Sequence, residues 1–369
     1  MDLQRFPGLI LAAAALAGCA TPPAAVAPPA PAQPPALRSP VQTLPERFVS
    51  VESPADELDS PASWTTEDGR TWVIVTAKSM HRLVVYDGDS GERLREVGNE
   101  GSAPGQFSRP NGIAVHGDLV FVVERDNHRV QVLSLPGFHP VAMFGENELR
   151  SPYGLWLDET GPGELQVYVT DSFMYGKRHD QVPPIAELSQ RVRRYRVQLT
   201  PDGHLSARYA GAFGDTSAAG ALHVVESIAG DADNDRLLIA DEEANRPSTL
   251  REYTLSGRYT GRSLPQDAFT AQAEGVALWS CADGSGYWIT VDQLAPLTVF
   301  HLFDRVTLAP RGSFKGTVTA HTDGVALHAA STPSFPAGAL YAIHDDRALA
   351  AFDLRDIAHS LQLGDRCTR

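Results

Sequence analysis

Positive charge, cysteine and helical periodicity are what this chain is short of. Lysine and arginine total 31 against 45 aspartates and glutamates, a formal net charge of -14, and a protein of that sign repels nucleic-acid phosphates. It is better suited to holding cations. The only cysteines are Cys19, Cys281 and Cys367, too few ligands for a cysteine metal site. The apolar run Leu9 to Leu16 falls short of the ~20 residues that a membrane-crossing helix needs. No amphipathic helical pattern extends beyond about two turns; from Leu44 onward, short β-type runs alternate with turn residues.

What is present is a repeat. Apolar residues make up 43% of the chain, enough for a sizeable core, and they recur in one pattern: a polar residue, a small one, then a short apolar run. Asp323-Gly324-Val325-Ala326-Leu327 and Glu274-Gly275-Val276-Ala277-Leu278 are the clearest copies. Asp59-Ser60-Pro61-Ala62, Asn111-Gly112-Ile113-Ala114, Tyr153-Gly154-Leu155-Trp156 and Glu226-Ser227-Ile228-Ala229 are looser ones. A period of roughly 40 to 50 residues belongs to a radially repeated β architecture. Six openings predict an all-β, six-bladed β-propeller over residues 44–369, with three or four meandering strands per blade. The sixth copy shows three clear strands, so Arg47 to Val51 is expected to supply its outer strand and close the ring. The third copy is interrupted at Phe173 to Gln190, a segment that reads either as a substrate-facing flap or as a plain surface excursion.

Ahead of the propeller, residues 1–19 read as a targeting segment. Small residues lead into a cysteine in Leu16-Ala17-Gly18-Cys19, which resembles a bacterial lipobox. That resemblance implies cleavage before Cys19, lipidation of Cys19 and a lipid anchor at the outer membrane; the alternative is an ordinary secretory signal. Residues 20–43 are rich in alanine and proline, the composition of an extended tether. Export permits Cys281 and Cys367 to join as a disulfide; otherwise they stay two thiols.

In a propeller the first strand of every blade lines the central channel, so equivalent positions form a ring. The opening residues are Asp59, Asn111, Tyr153, Glu226, Glu274 and Asp323. Four are acids, and those four fall in adjacent blades because blade six neighbours blade one. Converging carboxylates repel unless neutralised, and calcium tolerates irregular, carboxylate-rich coordination. A lone acid before glycine would only support a turn. At the ends of the second strands, Lys78 and Arg125 in blades one and two face Asp241, Glu242, Asp292 and Asp345 in blades four to six. A rim basic on one side and acidic on the other suits a phosphate ester, hydrolysed by metal-activated water without a protein nucleophile.

At this point the chain resembles the β-propeller phytases, calcium-dependent phosphatases that act on inositol hexakisphosphate. Their Asp-Asp-Pro-Ala-Ile-Trp opening is similar to Asp59 to Trp64, and their Thr-Asn-Lys to Thr76-Ala77-Lys78. Their Tyr-Gly, Ala-Glu-Glu, Glu-Gly-Leu and Thr-Asp-Gly motifs resemble Tyr153-Gly154, Ala240 to Glu243, Glu274 to Val276 and Thr322 to Gly324. The resemblance implies calcium as cofactor, with Asp59, Glu226, Glu274 and Asp323 as ligands. Asp241 and Glu242 are further candidate ligands. It implies substrate contacts from Lys78, Arg125 and Tyr153; Glu226, Glu274 and Asp323 are the expected catalytic carboxylates. A small phosphate ester and a lipid surface are the expected partners of a monomer. Ser60, Ser227 and Asp171-Ser172 depart from the family pattern, each removing a ligand, a glycine or a base. Gly105 to Val132 resembles instead an NHL-type repeat, common in propellers that serve as binding platforms.

Overall fold

The computed structural model describes residues 40–243 and 245–368. Cys19, the targeting segment and most of the tether lie outside the described residues. The described residues form six sheets, each a four-stranded antiparallel meander at its centre. Their inner strands are Leu58–Thr65, Pro110–His116, Pro152–Gly161, Val225–Asp231, Ala273–Ser280 and Val325–His328. These six touch one another in cyclic order, the last against the first, which is a closed six-bladed propeller.

Second and third strands of each blade are covered on both faces by neighbouring blades, so they read as unbroken apolar runs rather than as alternating ones. Leu119–Glu124 and Ala348–Asp353 are buried at every position. Six apolar clusters result, one in each gap between adjacent blades. The core is therefore a ring, and removing any blade would expose two of its faces.

Closure is made from both chain ends. Phe48–Val49 pairs antiparallel with Ala348–Asp353, Phe48 opposite Ala351, so the expected N-terminal outer strand of blade six is present. The chain meets the propeller somewhat earlier than the expected tether boundary: Gln42–Thr43 runs parallel to Pro310–Lys315 as a fifth strand of blade five. Between these two strands the Glu46 carboxylate accepts the backbone N–H groups of Thr317, Val318 and Thr319. Partial burial alone would raise its pKa, but those donors and the threonine hydroxyls pull it down to about 2.

At the other end a helix, Leu354–Ser360, is capped by Asp353, which accepts from the Arg355 N–H. It packs into the cluster between blades five and six. Beyond it Cys367 is disulfide-bonded to Cys281, their Cα atoms 4.5 Å apart across a sequence separation of 86. Of the two alternatives for these cysteines, the structure has the bond.

Candidate cation site at the mouth of the central channel

The repeated polar–small pair has a local cause. In blades one to five the inner strand slips register by one residue at that pair, between Leu58 and Pro61, Pro110 and Ile113, Pro152 and Leu155, Val225 and Ile228, and Ala273 and Val276. A bulge bends its strand and re-aims a side chain, and here the bulged pairs bring the polar residues of neighbouring blades together. The small residue is needed for closeness: a Cβ on Gly154 would lie 2.4 Å from the Glu226 carbonyl oxygen, and one on Gly324 2.6 Å from that of Asp59. Threonines stitch the same joints, Thr170 accepting from Gly154 N–H at 2.8 Å and donating to the Glu226 carbonyl at 2.7 Å. Ser60 and Ser227 take the small-residue place in blades one and four and line, with the four glycines, a central cavity of about 130 Å³.

The ends of the second strands divide into two sets. Glu124, Asp171, Asp241 and Asp292 turn away from the axis and accept backbone N–H groups of the segment leading into their own inner strand, Asp241 from His223 and Val224 at 3.0 and 3.1 Å. Each also meets a base on the third strand: Arg129, Arg193, Arg251 or His301. Burial opposes ionisation of Asp241, but the His223 hydrogen bond and Arg251 together hold its pKa below the usual carboxylate range. The expectation that Asp241 ligates a cation is therefore replaced by a structural role, shared with three other blades. An acid at a second-strand end with an arginine on the next strand was the available sign of it.

One residue further along, the side chains belong to the axis. Glu242 joins Glu226 and Glu274, each offering a carboxylate oxygen within 4.8 Å of the others. Lys78 lies in a second group: its Nζ is 3.0 Å from Asp323 and 3.9 Å from Glu57, and Asp59 and Asp346 act on it electrostatically. His321, Asp323 and Asp346 also come within 4.8 Å of one another. The mouth is thus not basic on one side and acidic on the other; its lysine is embedded among the acids. Arg125 stays outside, bonded to its neighbour Asp126 at 2.7 Å. Gln293, which the sequence did not single out, donates to Asp323 at 2.5 Å, and Arg109 pairs with Glu57 at 2.9 Å.

Electrostatics separate the two groups. Burial against Asp59 and Asp323 pushes Glu226 up to about 8, with the Tyr153 hydroxyl opposing through a hydrogen bond. Burial, and then repulsion from Glu226, put Glu242 and Glu274 well above the carboxylate range. Asp59 is pushed to about 7 by burial and by Asp323, against the pull of Lys78. Burial disfavours the Lys78 ammonium, yet Asp59, Asp323 and Asp346 hold its pKa above the ordinary value.

Buried Asp59 Oδ2 and Glu242 Oε1 have no hydrogen-bond partner, nor do the two amide atoms of Asn111. A buried carboxylate oxygen left so is costly. An all-oxygen set of convergent acids with orphaned oxygens fits a hard cation, and calcium best. Lys78 already serves as counter-ion to Asp59, Asp323 and Asp346. Glu226, Glu242 and Glu274 form no ion pair among the described residues, and Lys78 acts only on Glu226 and without direct contact, so the cation fits there.

An NHL repeat family model matches residues 107–133, which span blade two from its lead-in to its third strand. No curated protein matches the sequence. Among solved structures, the chain is similar to Kuenenia stuttgartiensis hydrazine synthase at 11% identity and a TM-score of 0.46, covering 85% of this chain and 81% of that one. It is also similar to a chain of a nidogen/laminin complex at 16% identity and a TM-score of 0.48, covering 75% and 88%. The strand pairing and the NHL match together establish a six-bladed propeller scaffold.

Proposed function

We propose that the protein is a calcium-binding propeller that hydrolyses phosphate monoesters at this axial carboxylate cluster. The observation that carries the proposal is the convergent trio Glu226, Glu242 and Glu274, without an ion-paired base among the described residues and with an orphaned Glu242 oxygen, set beside a buried lysine. Calcium held by these acids would neutralise phosphate oxygens and lower the pKa of a bound water. Around it, Glu226 is oriented by the Tyr153 hydroxyl, and Glu226 and Glu274 would hold the attacking water. Lys78 has three donors, of which Asp323 occupies one, so it can meet a phosphate oxygen without leaving its carboxylate. Arg125 is about a third exposed and paired with its own neighbour; exchanging Asp126 for a phosphate costs little. The lipid-anchored, monomeric, outer-membrane setting expected from the sequence belongs to the same proposal.

Phosphate release from p-nitrophenyl phosphate and phytate, with calcium and with chelator, tests it. Calcium-dependent release is expected, and Glu274→Ala should abolish both that release and the calcium-linked gain in melting temperature. A second reading is favoured by Lys78, whose side chain is only 7% exposed and held by acids: a non-catalytic binding scaffold with a structural calcium ion. Calcium stabilisation without release from any phosphate ester would select that reading.

A further inference from the structure

A cavity of about 370 Å³ lies off the axis, between the blade-three insertion and blade four. One wall is apolar, formed by Val182, Pro183 and Ile185; the other carries His223, Glu243 and Arg246. It is a built pocket. Arg191, fully buried, donates to the carbonyl oxygens of Asp171 and Phe173 at 3.1 and 2.7 Å and to those of Leu222 and His223 across the gap. That guanidinium fixes the insertion against blade four, so residues 173–190 are neither a loose excursion nor, on these contacts, a flap over the axis. Leu188 is fully buried beneath them.

The polar wall is equally fixed. Asp241 holds His223 through Nδ1 at 3.1 Å, which leaves Nε2 as the ring nitrogen for a ligand. Glu243 accepts from Asn245 Nδ2 at 2.8 Å and pairs with Arg246 at 3.5 Å. Arg246 and Glu243 cancel in charge, so the wall offers planar donors and acceptors without a net field for phosphate. A hydroxyl both donates and accepts, and a sugar ring has an apolar C–H face with a hydroxyl edge. Pockets of about 300–1,000 Å³ hold small ligands.

We propose that this pocket binds a sugar ring, its C–H face against Pro183 and Ile185 and its hydroxyls on His223, Glu243 and Arg246. Glu243 follows Glu242 in the chain, so one backbone segment carries both a pocket-lining residue and a cation-cluster residue. The pocket itself stands alone; its bearing on catalysis rests on the hydrolytic reading above. There it makes the preferred substrate a sugar phosphate, with free hydroxyls for the pocket, rather than fully phosphorylated inositol, which has none.

The test uses the full chain and two readouts. Saturation-transfer NMR with glucose, mannose and galactose reports the pocket alone: signal from at least one sugar, lost in Ile185→Asp and weakened in Glu243→Gln, is expected. Absence of signal from all three, or signal unchanged in both variants, overturns the proposal. In calcium, kcat/KM for glucose 1-phosphate and mannose 1-phosphate relative to phytate should exceed one and fall about tenfold in Ile185→Asp. Hydrolysis of no ester at all sinks the enzymatic reading while leaving the NMR result to decide the pocket. A preference for phytate that Ile185→Asp does not change overturns the substrate assignment. Unaltered calcium stabilisation in both variants serves as the folding control.

Discussion

Asp241 and Glu242 are adjacent acids with opposite jobs, and a paired substitution separates them. Burial and the neighbouring acids favour the protonated form of Glu242 in the calcium-free protein, so Glu242→Gln should change that protein's stability little while calcium affinity, which needs the ionised carboxylate, drops at least tenfold. Asp241→Asn should leave calcium binding largely intact and lose about 3–5 kcal/mol, the usual result of breaking a buried ion pair, here with Arg251. Melting temperatures in chelator and in calcium distinguish the two; equal loss of calcium response in both would contradict the division. The same acids set a pH dependence. Unfolded carboxylates release their protons near pH 4, whereas folded Asp59 and Glu226 keep theirs to about 7 and about 8. Across that window the native state binds more protons, so its stability falls as pH rises. Chelated protein should melt at a lower temperature at pH 8 than at pH 5, with calcium recovering the difference; identical melting at the two pH values would refute the cluster's electrostatics.

At the level of elements, the blades were legible because each repeats one sequence device, whereas the fasteners between chain ends were legible only in part. Phe48–Val49 was found only because blade six lacked a fourth strand, and Gln42–Thr43, a parallel addition two residues long, left no pattern to find. The disulfide remained one of two alternatives because sequence spacing says nothing of Cα separation. It joins the C-terminal segment to the end of the blade-five inner strand. Cys367→Ser should cost about 4–5 kcal/mol on the loop-entropy estimate for a closure of this length, read as a lower denaturation midpoint without a change in calcium stoichiometry. A midpoint equal to that of the parent protein would mean the helix and its apolar contacts hold the segment unaided.

For the whole molecule, the narrow neck couples all six blades. Because Gly154 abuts the Glu226 carbonyl oxygen and Gly324 that of Asp59, blade spacing and cation-site spacing are set by the same contacts. Gly154→Ala should wedge blades three and four apart, costing about 1–3 kcal/mol as overpacking does and weakening calcium binding although no ligand is changed. Loss of stability with calcium affinity intact would show the cluster tolerates that displacement. Ser60 and Ser227 show the limit of the rule: a hydroxymethyl group is accepted there, and both line the neck rather than the acid cluster.

The amino-acid sequence alone determined the architecture and most of the ring. A repeat with an apolar core on both strand faces can bury itself only by stacking blades radially, and equivalent positions in equivalent blades must then converge. Glu226, Glu274, Asp323 and Asp59 were therefore visible as a group. Tertiary structure decided the finer matters. Successive residues of a strand point to opposite sides, so whether Asp241 or Glu242 faced the axis depended on where the strand ended and what its neighbours donated. Lys78 became an internal counter-ion, and not one side of a divided rim, because a closed ring of six blades brings blade one against the acids of blade six.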